Sequence, residues 1–118
     1  MNLRFREPRV KSDKHLNFVR GLPCLVCHDA TSTEAAHVRF SCIETGKRQS
    51  GKSEKPDDKW TVPLCGRHHR DQHAMSEREF WLTVGIDPIK VCKMLWAFSG
   101  EHEKGERIAL SAHVGDIL

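Results

Sequence analysis

A chain of 118 residues with 38% apolar residues, 30% charged residues and no Tyr is long enough for one compact domain but not two, and its core is thin. No apolar run approaches the roughly 18–20 residues of a membrane span, and Met1 to Val10 has no apolar signal core, which predicts a soluble, cytoplasmic protein with no membrane partner. The formal net charge of +3 is unevenly spread, at +2 over residues 1–36, +4 over 37–70 and −3 over 71–118, so the middle third is the basic one.

Residues 1–11, polar and basic with one proline, read as an arm. Ser12 or Asp13 caps a helix to about Arg20 that turns Leu16, Val19 and Phe18 toward the core, and Gly21 and Pro23 stop it. Cys24-Leu25-Val26-Cys27 reads as a tight turn presenting two thiols, and Glu34 to Phe40 as a short strand. Ser41 to Asp58 is a long polar loop, with Gly46, Ser50, Gly51 and Ser53 set among Lys47, Arg48, Lys52 and Lys55. That composition suits a phosphate backbone or a plain solvated loop.

Trp60 to Leu64 returns as a strand and Gly66 to Ala74 as a helix. Ser76 with Glu79 is a capping box for a helix to Val84, which Gly85 ends. Asp87-Pro88 opens another through about Phe98, with Ile89, Cys92 and Leu95 or Trp96 on one face. Glu101 to Leu118 is acidic and punctuated by Gly, with an end expected to be poorly ordered. The fold class is α+β, with helices flanking a small two-stranded centre.

Five Cys is an odd number, and with eight His it points to metal ligands and buried thiols rather than disulfides. Cys24-x2-Cys27 and Cys65-x2-His68 are two pairs of soft ligands at zinc-site spacing. One tetrahedral ion shared by both pairs would cross-link the chain over 37 intervening residues, as a thin core needs. Cys42 and His28 are the spare candidates, and Cys92, alone on an apolar face, is expected in the core. His69 and His73, four residues apart, stack on one helix face and can share a second ion, whereas His68 lies about 100° round the helix from His69. His37 sits in an apolar strand, where a lone imidazole is usually a hydrogen-bonded core residue. Asp58 can orient His37, ligate metal or cap the following strand.

Cys24-x2-Cys27, Ala36-His37-Val38-Arg39 and Leu64-Cys65-x2-His68-His69-x3-His73 together resemble the HNH nucleases of the ββα-metal superfamily. The loop ending Lys55-Pro56-Asp57-Asp58 is similar to that of small phage and prophage members, including recombination-associated nucleases. The resemblance covers about residues 21–75, and implies a ββα-metal core with a zinc knuckle there, an arm and short helix over 1–20, and a helical extension over 76–118. It implies His37 as general base, His69 and His73 as ligands of a catalytic divalent cation, and Cys24, Cys27, Cys65 and His68 as a structural zinc set. The residue before the base, often a ligand in the family, is Ala36; Asp58, phosphate oxygens and water, or His37 itself are left to complete the shell. The Asn-type position nine residues before His69 is Trp60.

The expected function is metal-dependent hydrolysis of DNA, double- or single-stranded, in which His37 activates water and an ion (Mg2+, Mn2+, Ni2+ or Zn2+) on His69 and His73 holds the phosphate. Arg39, Lys52, Lys55, Arg67 and Arg70 are the candidates for the flanking backbone, as a homodimer or a phage protein is for a partner. Ala36 and Trp60 favour the competing reading, a zinc-stapled nucleic-acid-binding module without catalysis. A subunit active only within a larger recombination or packaging assembly is the third.

Overall fold

The computed structural model describes residues 11–39 and 57–113, so the N-terminal arm, Phe40, the basic loop with Cys42, Lys52 and Lys55, and the last five residues lie outside the described residues. In chain order the elements are α1 (Asp13–Arg20), β1 (Thr33–His37), β2 (Thr61–Cys65), α2 (Gly66–Ala74), α3 (Glu77–Val84), α4 (Pro88–Ala97) and α5 (His102–Leu110). The fold is α+β, with five helices and one two-stranded sheet among the described residues.

Local chemistry sets most boundaries. The Ser12 hydroxyl accepts the His15 N–H to start α1, Ser76 accepts from Glu79 to start α3, and Asp87 accepts from Ile89 and Lys90 ahead of Pro88 to start α4. Gly85 closes α3 in the left-handed region at φ 70°. β1 and β2 pair antiparallel, with Thr33 opposite Cys65 and His37 opposite Thr61. Pro63 lies mid-strand without damage, because its carbonyl points away from β1 to accept the Leu25 N–H at 3.0 Å. The missing N–H therefore also falls on the outer edge.

Leu22, Leu25, Val38, Val62, Leu64, Phe80, Trp81, Val91, Leu95 and Ile108 share one core, so the knuckle, the sheet and helices α3, α4 and α5 all contribute to it. Cys92 is in that core, its thiol 3.6 Å from the Thr61 carbonyl. One expectation needs correction, and two are sharpened. β1 ends at His37, although the Val38 N–H still reaches the Trp60 carbonyl at 2.8 Å. Of Leu95 and Trp96, it is Leu95 that shares the buried stripe of α4 with Ile89 and Cys92, and Trp96 is 40% exposed. The acidic C-terminal stretch contains α5, which packs so closely that a Cβ at Gly105 would lie 2.6 Å from the Phe18 ring.

His15 is buried where α1 meets α4, its Nδ1 2.7 Å from the Ser99 hydroxyl and its ring edge-on to Trp96. Burial pulls its pKa below the ordinary histidine value, with the Asp58 charge pulling the other way. The unfolded chain therefore binds this proton first as pH falls through about 6.5, and the native state loses stability below that point. Between about pH 7.5 and pH 5.5 the wild type is expected to lose more melting temperature than His15→Leu. Equal pH slopes in thermal melts would remove His15 as a source of acid sensitivity.

Candidate metal centre and histidine sites

The knuckle after α1 is built by its own backbone. The Cys24 N–H reaches the Asp29 carbonyl at 2.9 Å, the His28 N–H reaches the Cys24 carbonyl at 2.8 Å, and the Val26 N–H points at the Cys24 sulfur at 3.4 Å. His28 takes a positive φ of 66° to close the turn, and its exposed ring packs edge-on to His113. The Leu25 bond to Pro63 docks this turn on β2, which runs without a linker into α2. Cys65 is both the last residue of the strand and the cap of the helix, and His68 follows within the first turn.

The Cys24, Cys27 and Cys65 sulfurs and a His68 ring nitrogen all lie within 4.8 Å of one another. His68 Nδ1 is 3.2 Å from Cys65 Sγ and 3.6 Å from Cys24 Sγ, and Cys27 Sγ is 3.9 Å from Cys65 Sγ. A tetrahedron with bonds of about 2.3 Å to sulfur and 2.0–2.1 Å to nitrogen has edges of roughly 3.5–3.8 Å, so the donor set fits zinc in both chemistry and spacing. Burial pushes the Cys65 thiol up, but the His68 and Arg67 backbone N–H groups and the neighbouring thiols outweigh it and favour the thiolate. Burial and the adjacent Arg67 charge hold His68 below the ordinary histidine value despite Asp71, which keeps a lone pair available.

His37 stands at the end of β1, its Nε2 3.1 Å from Asp58 Oδ1. The Asp58 side chain is 2% exposed, and its other oxygen accepts the Ser12 N–H at 2.7 Å. The Asp58 carbonyl takes the Thr61 hydroxyl at 2.7 Å, which fixes the turn leading into β2. Gln72 of α2 donates to the His37 carbonyl at 3.2 Å and to Glu77 at 3.0 Å, while Glu77 also accepts from Trp81 and from the Arg39 backbone. His37 is thus held from both sides, by a buried carboxylate at its ring and by an amide at its backbone.

His69 and His73 share a face of α2, their ring centroids 5.0 Å apart. Glu34 of β1 places Oε1 2.7 Å from His69 Nδ1. Among the described residues the Cys24, Cys27, Cys65 and His68 group is the one that gathers three or more ligand atoms so closely. Of the expected third ligands, Asp58 is engaged with His37, and it is Glu34 that meets His69. Ala36 is fully buried and Trp60 is 6% exposed, so both positions that depart from the HNH pattern belong to the core. Arg67 and Arg70 are exposed on α2 and Arg39 is half-buried beside Glu77. Glu34, Gln72 and Glu77 escaped the sequence reading because each acts across the fold, and no local spacing marks them.

Fold and site define a small α+β protein with a Cys3His group suited to zinc, and no described helix is long and apolar enough to cross a membrane. The chain belongs to the family described as "Protein of unknown function (DUF968)", which matches residues 3–98. No curated protein and no solved structure gives a significant match.

Proposed function

We propose that this protein is a metal-dependent endonuclease of HNH type that hydrolyses DNA phosphodiester bonds, built on a ββα core closed by structural zinc. The observation that carries the reading is the His37 ring held at 3.1 Å by the buried Asp58. An ionised carboxylate only accepts, so Asp58 fixes the proton on Nε2 and leaves the Nδ1 lone pair to take a proton from water. Glu34 at His69 Nδ1 does the same for the helix, leaving His69 Nε2 free beside His73. A divalent cation held there, Mg2+, Mn2+, Ni2+ or Zn2+, would supply charge stabilisation at the scissile phosphate and the departing oxygen. Arg39, Arg67 and Arg70, with Lys52 and Lys55 of the basic loop, would hold the flanking backbone.

The test is cleavage of plasmid and single-stranded DNA by wild type and by His37→Ala, each titrated with those four cations, after thermal melts establish that the variant folds. Wild-type cleavage reduced about 100-fold or more in the folded variant supports the reading. No cleavage with any ion overturns it in favour of a zinc-stapled DNA-binding module, a reading that the buried Ala36 favours. That module holds one tightly bound metal and binds DNA equally well as His37→Ala. Cleavage that appears only with an added partner would make the chain a subunit of a larger recombination or packaging assembly.

A further inference from the structure

The turn that carries Asp58 also contributes to a second feature. Lys59 and Trp60 of this turn, with Cys92, Lys93 and Trp96 of α4, line a cavity of about 200 Å3. Lys59 Nζ lies 4.9 Å from the centre of the Trp60 ring. Trp96 is 40% exposed, an unusual state for the largest apolar side chain, while its ring is braced edge-on by the buried His15 at 4.8 Å. The lining brings two cations and two indoles together and includes no carboxylate. The volume falls below the ~300–1,000 Å3 of pockets for drug-sized molecules, and suits a single planar ring system.

We propose that this cavity is a stacking site for one unpaired base of a DNA strand, with the exposed face of Trp96 as the platform and Lys59 and Lys93 holding the adjoining phosphates. Three physical points favour this occupant. Every base has a π-face, so an indole platform stacks any of them. The adjoining phosphates are anionic, and both ionic groups in the lining are cationic. The platform is braced before binding, because the His15 ring already packs against the indole, which lowers the cost of ordering it. Since Asp58 and Lys59 are adjacent in one turn, a base in this cavity would steer its strand toward the His37 side. The inference rests on the nucleic-acid reading above, and adds to it a preference for single-stranded or locally opened DNA.

The experiment measures binding of a short fluorescein-labelled oligothymidylate, and of a duplex of equal length, to the full zinc-loaded chain by anisotropy, without other divalent cations. Trp96→Ala is expected to weaken single-strand binding about fivefold or more, and Trp96→Phe, which keeps an aromatic face, to stay within about twofold of wild type. Lys59→Gln and Lys93→Gln, which remove the charge and keep most of the side chain, should each reduce the slope of log affinity against log salt by about 0.7. Single-strand affinity and salt slope unchanged in Lys59→Gln, Lys93→Gln and folded Trp96→Ala overturn the stacking site, even where plasmid cleavage succeeds. A wild type that binds no oligonucleotide overturns it as well. Trp96-dependent binding by a chain that cuts nothing keeps the stacking site and removes the nuclease.

Discussion

Stripped of metal by a strong chelator, the protein is expected to unfold, and Cys65→Ser is expected to fail to hold metal at all. The Cys24–Cys27 knuckle, the end of β2 and the first turn of α2 converge at the Cys3His group, where three sulfurs and an imidazole face one another. Binding of structural zinc is worth about 10–16 kcal/mol in small metal-dependent folds, as much as the whole stability of an ordinary domain, about 5–15 kcal/mol. A chain with 38% apolar residues has little reserve to replace it. The measurement pairs zinc release, read with a colorimetric chelator, against far-UV circular dichroism. One zinc per chain, released together with helical signal, is the expected result. Cys92→Ala is the control, since Cys92 is also a buried cysteine but lies outside the ligand group. It should keep its zinc and lose only the ~0.5–3 kcal/mol of an ordinary core substitution. A metal-free chain with unchanged helical signal would mean that the hydrophobic core suffices and that the cluster is not a structural staple.

What could be read from the sequence was what depends on near neighbours. The caps of α1, α3 and α4 follow from Ser12, Ser76, Gly85 and Asp87-Pro88, because a cap is satisfied within three or four residues. The two ligand pairs were visible for the same reason, each being one turn long. α5 falls inside the expected helical extension over 76–118, but its bounds were not legible because the local pattern is interrupted by Gly105. Its purpose is tertiary, since the missing Cβ lets the helix sit against Phe18 and Leu22. Burial of His15 and exposure of Trp96 depend on how α1 crosses α4, which no local pattern encodes.

The pairings at the histidines come from strand register. Thr33 opposite Cys65 folds the first turn of α2 over the start of β1 and brings His69 to Glu34. His37 opposite Thr61 sets the other end of β1 beside the turn that carries Asp58. A shift of one residue would turn each of these side chains to the opposite face. Asp58 could be picked out as an orienting residue from its place before β2, but its second partner, the Ser12 N–H 46 residues away, could not.

That second partner makes Asp58→Asn the sharpest test of the catalytic proposal. In the wild type one carboxylate oxygen accepts the Ser12 N–H and the other faces His37 Nε2. Asparagine has a single acceptor oxygen, and turning its NH2 toward Ser12 would oppose two donors in a buried site. The oxygen therefore stays on Ser12 and the NH2 donates to His37 Nε2. Nε2 must then accept, the ring proton moves to Nδ1, and the nitrogen meant to take a proton from water already carries one. Cleavage is expected to fall about 100-fold or more with DNA affinity and fold retained, the pattern of a base held in the wrong tautomer. Single-turnover cleavage at saturating cation reads the rate, and nitrogen-15 NMR of the imidazoles reads the tautomer. Asp58→Ala is expected to differ in kind, since it strands the half-buried Ser12 N–H and costs about 1–3 kcal/mol of stability. Wild-type cleavage rates in Asp58→Asn would mean that the 3.1 Å contact is structural and that His37 is not the base.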